Sequence, residues 1–199
     1  MNNGFHSIKL SGDYCTLIPL SHEHHDDLVE AVNDGNLYKL WYTFVPEPSK
    51  LKENINLRLK MQQEESMLPF TVIDNQSKKA IGMTTFMNID RENRRVEIGG
   101  TWYRKSAQRT TINTECKLLL LSHAFETMNC IAVEFRTHAF NYQSRKGIER
   151  LGAKLDGVLR NHMIMPNGTL RDTYVYSIIA NEWPTVKAHL EFLKMNKIS

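Results

Sequence analysis

The sequence predicts an α+β protein: a mixed, mostly antiparallel, twisted sheet of about seven strands, flanked by helices. Three observations carry this. Short apolar or alternating runs recur along the 199 residues and read as strands. Between them lie segments whose apolar residues repeat at helical spacing. One strand–helix–strand unit near the middle calls for a crossover, while the other strands sit close enough in sequence to pair as hairpins.

Taken in order, Cys15–Leu20 (CTLIPL) reads as the first strand. SHEHHDDLVEAVNDG reads as a helix, with Ser21 as N-cap, Glu23 and Asp26 in the first turns and Gly35 as its stop. SKLKENINLRLKMQQEE is a second helix that places Leu51, Ile55, Leu59 and Gln62 on one face. PFTVIDN and AIGMTTFMNID are strands joined by a polar turn at Gln76–Lys79. After the charged turn RENRR, the strand RVEIGGTWY alternates Val96 and Ile98 against Glu97 and Gly99. A long helix follows from about Thr111 to Met128, then the strand IAVEFRTH, with Val133, Phe135 and Thr137 on one face and Glu134, Arg136 and His138 on the other. YQSRKGIERLG is a short helix ended by Gly152. GVLRNHMIM and TLRDTYVYSII form a hairpin around an Asn-Gly turn, and a closing helix covers about 182–195.

A chain that is 41% hydrophobic and 24% charged suits one globular domain over residues 1–199. The net charge of +3 is too mild to point to nucleic acid as a partner. Cys15, Cys116 and Cys130 form no CxxC pair, which fits reduced thiols in a cytoplasmic protein. The N-terminal MNNGFHSIKL has no apolar core of a signal peptide, and no apolar run approaches the ~20 residues of a membrane helix.

The chemistry concentrates at RKSAQRTTINTECKLLLLSHAFE, where a polar loop opens into an apolar helix. A helix start offers unpaired N–H groups and the positive end of the dipole, and Arg104, Lys105 and Arg109 add charge. An anion such as phosphate is the natural guest, and an ordinary capped loop is the plain alternative. Gly99-Gly100 interrupts the preceding strand, which suggests a bulge or a close backbone approach. A strand bent away from VEFRT would open a V for a ligand bearing its own amides. Asn141 and Ser144 open the next helix on the facing side.

With EIGGTWY, QRTTINTE, HAFETMNC, NYQSRKGIERLGAKLDGVLR and MPNGTLRD in the same element order, the chain resembles the GNAT superfamily of acetyl-CoA-dependent N-acetyltransferases. The nearest branch is the one that acetylates ribosomal-protein N-termini. The resemblance implies a GNAT-like sheet with a splayed central pair. It implies acetyl-CoA as the donor, no metal, and an amine acceptor, either a small molecule or a protein N-terminus; a homodimer is an allowed assembly. It places the pyrophosphate loop on Gln108, Arg109, Thr110, Thr111, Ile112 and Asn113, where Thr111 and Asn113 replace the family's usual glycines. It lays Gly100, Thr101 and Trp102 along the pantetheine arm, Asn141 across from them, and Ser144 near the thioester sulfur. The tyrosine that many members use as general acid falls on Ile148, which leaves Ser144 or water for that role.

Direct attack of an amine on a thioester needs the amine neutral and the developing oxyanion held by a donor. Glu97, just before the bulge, is the candidate base; a structural pair with Arg95 or Arg136 is the alternative. A backbone N–H near Gly100 or Thr101 is the candidate oxyanion donor. His22 and His25 are three residues apart, but no third ligand of convincing spacing follows, so His22, His24 and His25 read as a solvated helix start. His123 and His138 read as packed histidines with backbone partners, and Cys116 and Cys130 as buried packing residues. Arg145, Lys146 and Arg150 read as a solvated face or a contact for the adenosine 3′-phosphate. Trp41, Tyr42 and Phe44 form an aromatic cluster between the first two helices, which reads either as core or, as the resemblance implies, as part of the wall of the acceptor site. The competing reading is a non-catalytic acyl-CoA-binding sensor or scaffold of the same fold, which the missing loop glycines and missing tyrosine favour. A third, RNA-associated, rests only on scattered basic residues.

Overall fold

The computed structural model describes residues 8–197. The stretch Met1–Ser7, which holds most of the N-terminal segment read for a leader, lies outside the described residues. Eight strands form one sheet: β1 (Leu10–Ser11), β2 (Cys15–Pro19), β3 (Met67–Asp74), β4 (Ala80–Asp90), β5 (Arg95–Tyr103), β6 (Ala132–His138), β7 (Lys154–Ile164) and β8 (Leu170–Ile179). Their spatial order is β1-β2-β3-β4-β5-β6-β8-β7. Every pair is antiparallel except β5 with β6, the one strand pair joined by a helical crossover. The two-residue β1 is the strand that the apolar pattern did not announce.

The helices are α1 (His25–Asn33), α2 (Leu51–Gln63), α3 (Thr111–Ser122), α4 (Tyr142–Arg150) and α5 (Trp183–Met195). Two of the expected boundaries need correction. Ser21 does cap a helical start, but a 3-10 turn over His22–His24 comes first, and α1 begins only at His25. The expected helix to Met128 is α3 continued by a π-helical turn over His123–Thr127. The Asn-Gly turn also differs: Gly168 donates its N–H to the Met165 carbonyl at 2.8 Å, so Pro166 and Asn167 hold the central positions. Gly168 follows with φ +81°, a left-handed conformation that glycine adopts without steric cost.

Two cores flank the sheet. Val96, Ile98, Phe86, Cys116, Leu120, Leu121, Val133, Phe135 and Leu190 bring α3 and α5 onto one face. Leu28, Ala31, Val32, Leu51, Ile55, Met83 and Trp102 bring α1 and α2 onto the other, over the N-terminal half of the sheet. The expected face of α2 holds at Leu51 and Ile55, which are fully buried. A buried carboxylate ties β2 to α3: Glu115 accepts from the backbone N–H groups of Asp13, Tyr14 and Cys15 at 2.7–2.8 Å, with the Lys194 ammonium 3.5 Å away. Three charge-assisted bonds on one side chain satisfy donors that would otherwise be orphaned in the core. The three thiols are unpaired and buried, and burial raises each above its ordinary range. No helix among the described residues is long and apolar enough to cross a membrane.

Candidate active site

The site is made by two strands that start as partners and then part. β5 and β6 pair in parallel only from Arg95↔Ala132 to Glu97↔Glu134, although β5 runs on to Tyr103 and β6 to His138. The cause lies on the other edge of β5. Thr85 of β4 faces Gly99 and Met83 faces Trp102, so Gly100 and Thr101 together oppose the single Thr84. That extra residue is a bulge, and a bulge bends its strand and frees its backbone. Gly100 takes φ +58° there, and a Cβ on it would lie 2.9 Å from Arg58 Nη2, so no other residue fits without moving that guanidinium.

The side chains next to the bulge are committed away from the cleft. Thr101 Oγ1 bonds Thr84 Oγ1 at 2.8 Å and receives a hydrogen bond from Lys117 Nζ, also at 2.8 Å. The Trp102 ring is packed in the α1–α2 core. What Gly100, Thr101 and Trp102 can offer a ligand is therefore backbone, as a strand-like arm requires. Lys117 is a residue that motif reading passed over, because it looks like one polar position in an apolar helix. It is 6% exposed, has no carboxylate within ion-pair distance among the described residues, and burial pushes its ammonium down to about 8.

At the mouth of the V, Thr110 caps α3: its Oγ1 accepts from the Ile112 N–H at 3.3 Å and donates to the Ala107 carbonyl at 2.7 Å. The remaining N–H groups of the first turn have no acceptor within the helix and point out of its end. Gln108 Nε2 donates to the Tyr103 carbonyl at 3.1 Å, and Gln143 Nε2 reaches Gln108 Oε1 at 3.4 Å, so Gln108 links the end of β5 to α4. Arg109 holds φ +57°. Thr111 and Asn113 lie within the first turn of α3, in right-handed backbone. On the facing side Asn141 caps α4 by accepting from Ser144 N–H at 3.0 Å. Ser144 Oγ makes no hydrogen bond among the described residues, and Ile148 sits in the core.

Glu97 is 6% exposed. Its Oε2 takes a 2.7 Å bond from Asn88 Nδ2 and lies 3.5 Å from Arg136 Nε. Its pairing with Arg136 is thus real, while Arg95 pairs with Glu134 instead. Burial nevertheless dominates and raises the Glu97 carboxyl above its usual value, with Asn88 and Arg136 pulling the other way. A carboxylate held this way takes up a proton more readily than a free one.

Among the described residues no helix covers the outer face of β6 and β8, and the α1–α2 connection leans over its end. Trp41 meets His138 edge to face at 5.1 Å, and Tyr42 and Phe140 lie within 6.3 Å of the same imidazole. Phe44 lies under the Arg171 guanidinium at 5.5 Å. A cavity of about 470 Å³ continues along this face, lined by Arg95, Glu134, Arg136, Asp156, Val175 and Ser177 among others. His138 has the backbone partner expected of it, the Phe140 N–H at 3.0 Å.

Arg145 corrects the reading of a solvated basic face. It bonds the Ala139 carbonyl and the Tyr176 hydroxyl, and its guanidinium lies 3.9 Å from the centre of the Tyr174 ring. Arg150 reaches Thr114 Oγ1 on α3 at 3.1 Å. His24 is likewise more than solvated: its Nδ1 lies 3.2 Å from the Ser21 N–H and 2.8 Å from Thr71 Oγ1. Among the described residues no group of three or more His, Cys, Asp or Glu is arranged to hold a metal ion.

A sheet that parts at a bulge, with a helix start at its mouth and a buried carboxylate at its apex, defines a class of protein that binds an amide-bearing anion edge-on. The family follows directly: residues 15–154 match the acetyltransferase (GNAT) domain family, and the chain belongs to it. It is 32% identical over 102 residues to the protein of Bacillus subtilis (strain 168) named "Putative ribosomal N-acetyltransferase YdaF"; the match covers 51% of this chain and 55% of that one, so the chain spans about half the length of that relative. A GCN5-related N-acetyltransferase from Brucella melitensis has the same fold at a TM-score of 0.84 and 27% identity, covering 95% of this chain and 86% of that one. The Microcin C7 self immunity acetyltransferase MccE, solved with acetyl-CoA and AMP, shares the fold at a TM-score of 0.73 and 23% identity, over 84% of this chain and 93% of its own. The residues fit acetyl-CoA: a backbone-lined V with a glycine at its closest approach, and a capped helix start at its mouth.

Proposed function

We propose that this acetyltransferase moves an acetyl group from acetyl-CoA directly to a primary amine within a ternary complex. The observation that carries the proposal is the parting of β5 and β6 immediately after Glu97, beside the Gly100 bulge. Acetyl-CoA supplies the acetyl group as a thioester; the chain supplies placement, a proton acceptor and a donor to the developing negative charge. The N–H groups of the α3 first turn and the Arg109 side chain hold the pyrophosphate. Gly100, Thr101 and Asn141 bond the arm from its two sides.

Glu97 takes the amine proton, directly or through water, because burial has made its carboxylate a better base than a solvated one. A backbone N–H at Gly100 or Thr101 takes the charge that builds on the carbonyl oxygen as the C–N bond forms. As the C–S bond breaks, Ser144 Oγ hydrogen-bonds the departing thiolate, which leaves as coenzyme A. The acceptor is a small-molecule amine or a protein N-terminus, and the reading takes one chain as sufficient for the chemistry.

The test is thiol release from acetyl-CoA against a panel of amines and N-terminal peptides, beside calorimetry of acetyl-CoA binding. Binding with turnover of any acceptor supports the proposal. Binding without turnover across the panel leaves only an acyl-CoA sensor, and absence of binding removes both.

A further inference from the structure

The outer groove beside Glu97 gathers four guanidinium groups, Arg58, Arg95, Arg136 and Arg171, against three carboxylates, Glu97, Glu134 and Asp156. Glu134 is shared between Arg95 at 2.8 Å and Arg136 at 2.9 Å, and Glu97 faces Arg136 at 3.5 Å. Two further guanidinium groups have no carboxylate within ion-pair distance among the described residues. Arg171, 8% exposed, bonds only the Thr173 hydroxyl, at 2.9 Å, and lies over Phe44. Arg58, on the α2 wall, bonds Asn54 Oδ1 at 2.9 Å and Thr85 Oγ1 at 2.6 Å, with Nη2 turned toward Gly100. Taking a guanidinium out of water without a close counter-ion is costly, and burial lowers both groups from their ordinary value; Glu97, beyond ion-pair distance, pulls Arg171 the other way, while Arg58 has no such partner among the described residues.

His138 adds a neutral donor of the same kind. A backbone N–H can only donate, so the Phe140 N–H at 3.0 Å fixes Nδ1 as an acceptor. The imidazole proton must then sit on Nε2. That atom is buried and has no hydrogen-bond partner, in a side chain 2% exposed. The Trp41 ring is its nearest aromatic neighbour at 5.1 Å, at best a weak acceptor. Buried donors in native structures are nearly always satisfied, so an unsatisfied one on β6, the strand whose Glu134 and Arg136 line the cavity, points to a missing partner atom.

We propose that this groove selects acceptor amines that carry an anionic oxygen group, a carboxylate or a phosphoryl, which Arg171 and the His138 Nε2–H bind while Arg58 adds positive field from the α2 wall. The exposed rings of Trp41, Phe44 and Phe140 cover the acceptor's apolar part. Polycationic amines are excluded by the same uncompensated charges. The inference rests on the acetyl-transfer reading, because that reading makes this groove the acceptor's.

The test measures binding of matched pairs to the full chain in the presence of coenzyme A: N-acetylglycine against N-acetylglycinamide, and O-phosphoethanolamine against ethanolamine, with spermidine as the cationic control. In at least one pair the charged member should bind about tenfold more tightly or better, the scale of a charge-assisted bond in a desolvated site. The pair that shows the preference identifies carboxylate or phosphoryl. Arg171→Gln should bring the ratio close to one, and Arg171→Lys should keep part of it. Equal binding within both pairs, tighter binding of spermidine, or a preference unchanged in Arg171→Gln overturns the proposal. The wild-type ratios decide even if Arg171→Gln fails to fold. Thiol release is scored separately: a charge preference without turnover keeps the anion site and removes the acetyl-transfer reading.

Discussion

Lys117→Met should make the protein more stable and less active. Lys117 is buried in α3 with a single hydroxyl partner, Thr101, and its ammonium is pushed from its ordinary 10.5 down to about 8, chiefly by burial, with Cys116 opposing. Such a fall corresponds to on the order of 3 kcal/mol of destabilisation while the group is charged. The sign follows from proton counting. Below pH 8 both folded and unfolded chains hold the proton, and the folded state bears the full cost. Between about 8 and 10.5 the folded state releases it first, so stability rises with pH; above 10.5 the cost is gone. Methionine has nearly the same reach and no charge, and it gives up a hydrogen bond worth about 1 kcal/mol net. The expected gain at pH 7 is roughly 2 kcal/mol, or about 4–8 °C in Tm for a domain of this size.

Calorimetric melting of both proteins at pH 7 and pH 9.5 checks this. The variant's advantage should be largest at pH 7 and shrink at pH 9.5, and comparing the two proteins cancels the titration of Cys15, Cys130 and Tyr103, leaving Cys116 as the one thiol coupled to Lys117. A variant less stable at pH 7, by an amount that does not change at pH 9.5, would refute the reasoning. The functional half uses the other end of the same bond. Thr101 belongs to the bulge, so freeing it should loosen the backbone donors there, and kcat should fall while acetyl-CoA affinity stays within a few fold. A residue that costs stability next to a reacting centre is what a trade-off between stability and activity predicts.

Three further variants are open to simpler tests. Glu97→Gln should lower the rate most near pH 7, where the acceptor is mainly ammonium, and higher pH should restore part of it; an unaltered pH–rate profile would make Glu97 structural. Because burial raises the Glu97 carboxyl, its charged form costs stability as pH rises above the ordinary carboxylate range, so the same variant should melt no lower than wild type at pH 7. Ser144→Ala should lower kcat with little change in acetyl-CoA affinity, since the thiolate charge exists only toward the transition state. Glu115→Ala should cost about 3–5 kcal/mol, read from denaturant midpoints, by removing a buried carboxylate that holds the N–H groups of Asp13, Tyr14 and Cys15 and faces the Lys194 ammonium.

The parts of the fold that the sequence disclosed are those specified by local pattern. β4 and β5 have the bounds that their alternation suggested, Ala80–Asp90 and Arg95–Tyr103, and the paired glycines did mark a bulge. Glu97, Asn141 and Ser144 stand out as candidates in the sequence because they lie in or beside recognisable motifs. Arg58, Lys117 and Arg171 were not, because each is one basic residue on an otherwise ordinary helix or strand. Their meaning comes from what surrounds them in space, namely burial without a carboxylate, and a single sequence carries no such information. His138 lies between these cases. Alternation along IAVEFRTH put it on the face of Arg136, but the direction of its Nε2 proton depends on the chain doubling back at Phe140.

The loop before α3 lacks the glycines that the resemblance leads one to expect, and its backbone shows where their conformational freedom is needed. Thr111 and Asn113 stand where glycines are usual, yet both lie in the first turn of α3 with right-handed backbone, which needs no glycine. The left-handed residue is Arg109, at φ +57°, one position before the cap. The strain a glycine would relieve therefore falls on Arg109, a residue with a charge to contribute. This gives a sharp comparison. Arg109→Gly relaxes the backbone and should stabilise the free protein slightly, by up to about 1 kcal/mol, while removing the charge should weaken acetyl-CoA binding. Arg109→Glu keeps the strain and reverses the charge, so it should weaken binding further. Thr111→Gly changes neither φ nor charge, so its affinity should stay within a few fold of wild type. If Arg109→Glu binds as tightly as wild type by calorimetry, the pyrophosphate does not lie against this loop. If Thr111→Gly binds much more tightly, the threonine Cβ has been holding the ligand away from the helix start, and the glycines mattered for close approach after all.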